Sequence, residues 1–328
     1  MKSIKRRTVL AAGASIVALG MAGVPRARAK TKLRFSGAFT EQDPRADAYK
    51  ALAQAVKDEF EIELYFNNTL FKQGTELVAM ERGNLEMCNL APQDIAKQVP
   101  AWTLMTSAYL FRGIDHLEKT YKSAPGKEMI KLAKDKLGVQ VITPVYFGTR
   151  QVNLKPDRKI ETPKDMAGIK LRMPPGEVWQ FLGEAIGANP TPVAFSEVYT
   201  ALQTGAIDGQ DNPLVLSKLM KFYEVTTQFV LTSHLVGHDV MAMDSKVWNA
   251  MTPAQQARFQ SAAEKSIKIS TSAFNGQEQD AAAFFKAQGL KLYKPDVAAF
   301  RTYAQKKYLD KYGADWPKGM LERINAIA

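Results

Sequence analysis

Thr162-Pro163-Lys164-Asp165, then Gly168-Ile169-Lys170-Leu171-Arg172-Met173-Pro174-Pro175-Gly176, and further on Gly205-Ala206-Ile207-Asp208-Gly209-Gln210-Asp211-Asn212-Pro213 form the stretch that decides the architecture. Thr162, Pro163 and Asp165 read as a helix start: a capping side chain, a proline at the first helical position and an acid near the positive end. The short helix gives way at Gly168 to a strand in which Ile169 and Leu171 alternate with Lys170 and Arg172. Pro174 and Pro175 stop that strand, because proline donates nothing to a ladder. Arg172 is therefore expected at the carboxyl end of a strand, where open α/β sheets hold their ligands.

Working outward, the same two periodicities recur. Lys32 to Ser36 alternates as a strand, 47–58 has helical spacing, and Glu61 to Phe66 alternates again. That is a β-α-β unit, the element of a parallel sheet. Gly74 to Arg82 reads as a helix, Leu85 to Leu90 as a strand, 116–137 as helical and 138–144 as a strand. Ser196 is expected to cap a helix from Glu197 to Thr204 that Gly205 ends. Two strands, 229–235 and 240–243, are expected on either side of His234-Leu235-Val236-Gly237-His238. Thr252-Pro253 opens the longest helical pattern, running to about Ala287, with Phe259, Ala262, Ala263, Ile267 and Ile269 as its buried stripe. A helix of that length reaches ~50 Å, the width of more than one lobe.

The chain has 328 residues, 46% hydrophobic and 23% charged, which describes a globular protein large enough for two domains. Residues 1–29 stand apart. Lys2, Lys5, Arg6 and Arg7 precede an uncharged run from Leu10 to Met21 and the small-x-small signal Ala27-Arg28-Ala29. This reads as an export signal peptide, too short and wrongly flanked for a membrane span, so the periplasm is the expected compartment. Arg6-Arg7 before Thr8-Val9-Leu10 resembles a twin-arginine signal; the route of export stays open between the two systems. The segment holds six basic residues and no acid, so the +11 of the whole chain falls to +5 without it. With no basic run interleaved with aromatics, nucleic acid is not an expected partner. Cys88 is the only cysteine and reads as a small buried hydrophobe; no disulfide can form within the chain.

The sequence contains no GxxxxGK[ST] loop, GxGxxG after a strand, GxSxG elbow or HExxH. No catalytic residue, metal or cofactor is expected. His234 and His238 stand four apart, but Gly237 and the strand-like surroundings argue against a helical metal pair and for turn or core histidines. Asp208 and Asp211, between glycines and Asn212-Pro213, read as turn residues. What remains is a set of anion-fitting side chains at element ends. Arg150 and Arg172 each follow a strand-like segment, and a guanidinium presents a planar fork to a carboxylate. Asn212, held extended by Pro213, can present an amide donor. Taken alone, each arginine is more often a surface or salt-bridge residue.

Gly148-Thr149-Arg150-Gln151, the Gly168 to Pro174 segment, and the run from Gly187-Ala188-Asn189-Pro190 through Phe195-Ser196-Glu197 to Pro213 resemble the solute-binding proteins of tripartite ATP-independent periplasmic (TRAP) transporters, in their order and spacing. The resemblance is to the dicarboxylate and sialic acid binders and covers the chain from about Lys30. It implies an α/β, two-lobed periplasmic binding protein fold, with a ligand cleft between the lobes and a long helix spanning both. Lobe I would comprise 30–148 and 238–277, and lobe II 149–237 and 278–328. It also implies that Arg172 pairs with the substrate carboxylate, that Arg150 reinforces that pair, that Asn212 completes the site, and that Phe195 forms an aromatic wall. First-lobe contacts are expected near Phe39 to Gln42, with Glu41 the candidate, at Gln73 and at Asn89 to Ala91, and Glu177 and Trp179, past the arginine loop, are expected to line the pocket.

The function implied is capture of a small organic acid by cleft closure for TRAP membrane subunits, by a monomer that is not an enzyme. Two other readings share the same cleft: an exported enzyme acting on an organic acid, and a binding protein serving a sensor kinase. The first would need a nucleophile or a tuned acid–base pair beside Arg172, which no recognisable spacing supplies.

Overall fold

Leu33 and Phe35 alternate with Lys32 and Arg34 along the first strand, and both are fully buried. The computed structural model describes residues 30–328, so the export-signal reading of 1–29 lies outside them. The chain runs β1 (Thr31–Ser36), α1 (Pro44–Ala55), β2 (Phe60–Tyr65), α2 (Glu76–Glu81), β3 (Met87–Leu90) and α3 (Pro92–Gln98). It continues through α4 (Ile114–Lys122), α5 (Ala124–Leu137), β4 (Val139–Leu154), β5 (Lys170–Met173), α6 (Glu177–Ala185), β6 (Asn189–Pro192) and α7 (Val198–Thr204). There follow β7 (Gly209–Asn212), α8 (Leu214–Leu219), β8 (Gln228–Asp244), α9 (Ser245–Ala250), α10 (Pro253–Ala287), β9 (Lys291–Tyr293), α11 (Val297–Tyr312) and α12 (Met320–Asn325).

The strands lie in the order β2-β1-β3-β8-β4-β7-β5-β6, with β9 beside β8. One half is β2-β1-β3, parallel among themselves; the other is β7-β5-β6, also parallel. The two long antiparallel strands β4 and β8 belong to both halves. β3 pairs with β8 at Val240–Met243, while β7 pairs with β4 at 151–154. The result is two α/β lobes joined by a pair of crossing strands.

This corrects two readings of the sequence. The segments 229–235 and 240–243 are one strand of 17 residues, and the histidines between them are strand residues. Likewise 138–144 does not end at Pro144 but runs on as a 16-residue strand to Leu154. Pro144 falls where β4 pairs with β8 alone, an edge position at which a missing N–H is tolerated. Arg150 therefore lies inside a strand and not at an element end.

Gly148 marks the crossing. Its φ is +107°, and a Cβ there would lie 2.6 Å from Pro213 Cβ. Gly148→Ala is expected to cost about 1–3 kcal/mol in backbone strain, with the overlap adding to it. A urea midpoint unchanged from wild type would show that the crossing relaxes freely.

Helix α10 is 35 residues long and opens with Thr252 accepting from the Gln255 N–H while the Gln255 side chain accepts from the Thr252 N–H. Phe259, Ala263 and Ile267 pack with the β1–β2 core, whereas Phe274, Ala281 and Phe285 pack in a second core with Phe229 and Val236. The buried stripe changes partners near Ser270. Ile269, expected in that stripe, is instead exposed.

Smaller corrections follow from packing. The helix over 116–137 is two helices divided at Ser123, which caps the second, and α1 starts earlier than 47, at Pro44 behind the cap Asp43. The Thr162 start makes a single 3-10 turn, with the Asp165 carboxylate accepting the N–H groups of Thr162 and Glu161. Ser196 lies in another such turn and caps nothing, while Gly205 ends α7 with φ +78° as expected. The tail divides: α11 packs on α6, whereas Met320 and Ile324 of α12 share a core with Leu117 and Met129, and Arg323 pairs with Glu128.

Candidate functional site

Where the halves face each other they enclose a cavity of about 70 Å³. From the β5–β7 side it is lined by Arg172, Arg150, Asn212, Trp179, Phe195, Pro174 and Pro175. From the β1–β3 side come Phe39, Arg45, Gln73, Glu76, Asn89, Asp94 and Asp239.

Arg172 is held as its sequence suggests. It is the third residue of β5, and the strand ends one residue later before Pro174. The side chain is 1% exposed, and its Nε donates to the Val193 carbonyl at 2.8 Å. Its Nη2 is buried and has no hydrogen-bond partner among the described residues. The Phe195 ring lies 5.8 Å from the guanidinium carbon. Burial, with Arg150 nearby, pushes the Arg172 pKa down to about 9, although Asp211 opposes the shift. A buried fork with an orphaned donor, uncomfortable as a cation, is a site poised for an anion.

Arg150 is arranged differently. Its Nε and Nη2 donate to the two carboxylate oxygens of Asp211 at 2.7 and 2.8 Å, and Nη2 also donates to the Asp211 carbonyl. Trp179 lies beneath it, 5.0 Å from the guanidinium carbon to the ring centre. Asp211 is fully buried in β7 and bonded also to His234 at 3.1 Å, so the turn reading of this aspartate is wrong. The glycine before it misled: Gly209 is a strand residue whose Cβ would come 2.5 Å from Leu154 Cδ2, so glycine serves strand approach and not a turn. Burial would raise the Asp211 carboxyl, but Arg150, helped by His234, holds it well below the ordinary carboxylate range. Asn212 lines the cavity while its amide donates to Gln210 Oε1 at 2.7 Å.

The opposite wall was only partly legible. Gln73 reaches across the cleft, its Oε1 accepting the Phe195 N–H at 2.9 Å. Asn89 bonds to Tyr49 and to Asp239. Glu41 is a correction: it is exposed, pairs with Lys50 at 3.0 Å and lines a separate surface depression, because the chain turns outward before α1. Of the expected stretch Phe39 does line the cleft, and Arg45, which the sequence did not single out, lines it too. Arg45 lies between the rings of Phe39 and Phe147 and pairs with Asp43 and Asp239. A helix begun at Pro44, after the capping Asp43, was the signal that could have turned Arg45 inward. Glu177, one turn from the arginine loop, is exposed.

Glu76 and Asp94 also went unrecognised as site residues. Burial, then Asp94, pushes Glu76 up to about 8; burial, then Asp239, pushes Asp94 up to about 7. Burial pushes His238 the other way, down to about 4. The two acids hold protons in the folded state that they release on unfolding, so their stabilisation is lost as pH rises through these values. His238 works against this only below its ordinary 6.5. The melting temperature of the apo protein is therefore expected to fall between pH 6.5 and 8, and Glu76→Gln to flatten that fall. A flat wild-type profile would mean that Glu76 is already ionised.

Residues 35–315 match the family described as bacterial extracellular solute-binding protein, family 7 (DctP). The chain belongs to this family. The solute-binding protein is 28% identical over 312 residues to the sialic acid-binding periplasmic protein SiaP of Vibrio cholerae, covering 94% of each chain. It is 25% identical over 306 residues to the 2,3-diketo-L-gulonate-binding periplasmic protein YiaO of Escherichia coli, covering 91% of this chain and 93% of that one. Among solved structures, a TRAP periplasmic solute-binding protein of Roseobacter denitrificans, with bound 3-deoxy-D-manno-oct-2-ulosonic acid, superposes with a TM-score of 0.88 at 38% identity, over 91% of this chain and all of the other.

Proposed function

We propose that this solute-binding protein captures a small organic acid in the cleft, docking the acid's carboxylate on Arg172, and presents the closed complex to TRAP membrane subunits in the periplasm. The observation that carries this reading is the buried Nη2 of Arg172 at the cavity wall, without a hydrogen-bond partner among the described residues. Arg150 supplies a second positive charge, and Asn212 an amide at the same wall. Phe195 and Trp179 form its aromatic sides. Gln73 and Asn89 meet the ligand from the first lobe. Ligands named for the similar proteins, a sialic acid, a diketogulonate and an octulosonic acid, all carry a carboxylate.

Closure follows from the topology. β4 and β8 cross between the halves near Gly148 and Gly237, where their register shifts, and this supports a hinge there. Lobe I then comprises 30–148 and 238–277, and lobe II 149–237 and 278–328 with α12 reaching back. The Gln73–Phe195 bond spans the cleft and acts as a latch. Contacts made only when the lobes meet shift the population towards the closed form. A monomer suffices for this cycle.

A melting-temperature screen against organic acids tests the reading. Sugar acids are expected to raise the transition and to be recovered unchanged by mass spectrometry. Chemical conversion of the bound acid would favour the enzyme reading. No rise with any acid would overturn the proposal.

A further inference from the structure

The two walls of the cleft differ in charge. On one, Arg172 has no acid of its own. On the other, the one arginine is already overmatched, with Arg45 bonded to both Asp43 and Asp239. Beside it stand two more acids. Glu76 takes the Gly74 N–H on Oε2 at 2.8 Å, and neither Glu76 nor Asp94 forms an ion pair among the described residues. Asp94 approaches the same loop: a Cβ added at Gly74 would sit 3.8 Å from its Oδ1, an ordinary van der Waals contact. Asn89 spends one of its two amide hydrogens on Asp239 and can offer the second to a hydroxyl oxygen.

We infer that Glu76 and Asp94 read the far end of the ligand, admitting a monocarboxylate that bears hydroxyl groups and excluding a dicarboxylate. The inference rests on Arg172 as the anchor. With one carboxylate held there, the rest of the molecule fills the space bounded by the two acids. A second carboxylate would have to stay ionised in a buried setting that already pushes two acids toward their neutral forms, a repulsive element of the kind that specificity requires. Hydroxyl groups donate to carboxyl oxygens and bring no charge. Burial holds both acids toward their neutral forms, which suits hydroxyl partners better than an ammonium group.

Acids of one carbon skeleton that differ only at the far end isolate the effect: D-galactonate against galactarate, D-gluconate against D-glucarate, and threonate against tartrate. Calorimetric titration at pH 7.5 is expected to favour the monocarboxylate of a bound pair at least a hundredfold. E76Q/D94N, checked for folding by its thermal transition, is expected to narrow that gap at least tenfold. Equal affinity for both members, an unchanged gap in the double variant, or tighter binding of 4-aminobutyrate than of any aldonate would overturn the inference. R172A separates the two readings. Loss of aldonate binding in that variant keeps the anchor even where the pairs are not discriminated, whereas silence from every acid overturns the anchor and the selection with it.

Discussion

Arg172→Ala is expected to abolish the rise in melting temperature that an organic acid gives the wild-type chain, while the apo protein still folds. Arg172 is 1% exposed, its only hydrogen bond among the described residues runs from Nε to the Val193 carbonyl, and, after burial, Arg150 lowers its pKa more than Asp211 raises it. Leaving a buried donor and a buried charge uncompensated is costly, so the apo fold keeps this residue at a loss. A carboxylate bound there would recover that loss. Truncating one partner of a buried, hydrogen-bonded charge pair costs about 2–5 kcal/mol, or roughly thirtyfold to several thousandfold in affinity. Arg172→Met keeps the volume of the stem without its charge, and its apo form should melt higher than wild type. Arg172→Lys should recover little affinity, because a point charge does not reproduce two parallel donors on a planar fork. Calorimetry with an acid that stabilises the wild type checks each arm. Affinity of Arg172→Ala within threefold of wild type would remove this residue from the binding site.

The position of Arg172 was legible because its determinants are local: alternating Ile169 and Leu171, then two prolines that stop the strand. The same holds for α10, whose start at Thr252-Pro253 and end at Gly289 are written in a few adjacent residues. Local signals also misled. Pro144 and Gly237 read as breaks, yet they lie inside β4 and β8, because a strand that crosses between lobes needs an edge position and close backbone approach just there. Burial was the larger gap. Asp211 and Arg150 are 61 residues apart, and Arg45 and Asp239 are 194 apart. No periodicity announces pairs at such distances. Glu41, Gln73 and Asn89 were candidates for the same wall, and two of the three face the cavity. The direction of the loop before α1 decided against Glu41.

Asp211→Asn is expected to be the most destabilising single change in the cleft. Asp211 supplies the carboxylate of the only ion pair that Arg150 makes among the described residues, and both side chains are buried. The amide keeps the shape and one acceptor but leaves two buried guanidinium groups with no anion between them. Breaking a buried pair from one side costs about 3–5 kcal/mol, because the surviving charge is stranded. Arg150→Met in the same chain removes the stranded charge, so the double variant should be more stable than Asp211→Asn alone. That rescue is the signature of direct coupling. Binding should move the other way. With Asp211 neutral, Arg150 is free to join Arg172 on the ligand carboxylate, so an acid that stabilises the wild type should raise the variant's melting temperature by more. Asp208→Asn is the control: Asp208 is half-buried and accepts the Lys170 N–H, with no arginine depending on it. Urea unfolding with and without the acid measures both effects. A cost below about 1 kcal/mol, within the range of an exposed pair, would mean that Arg150 is solvated and that the cleft is wetter than its geometry implies.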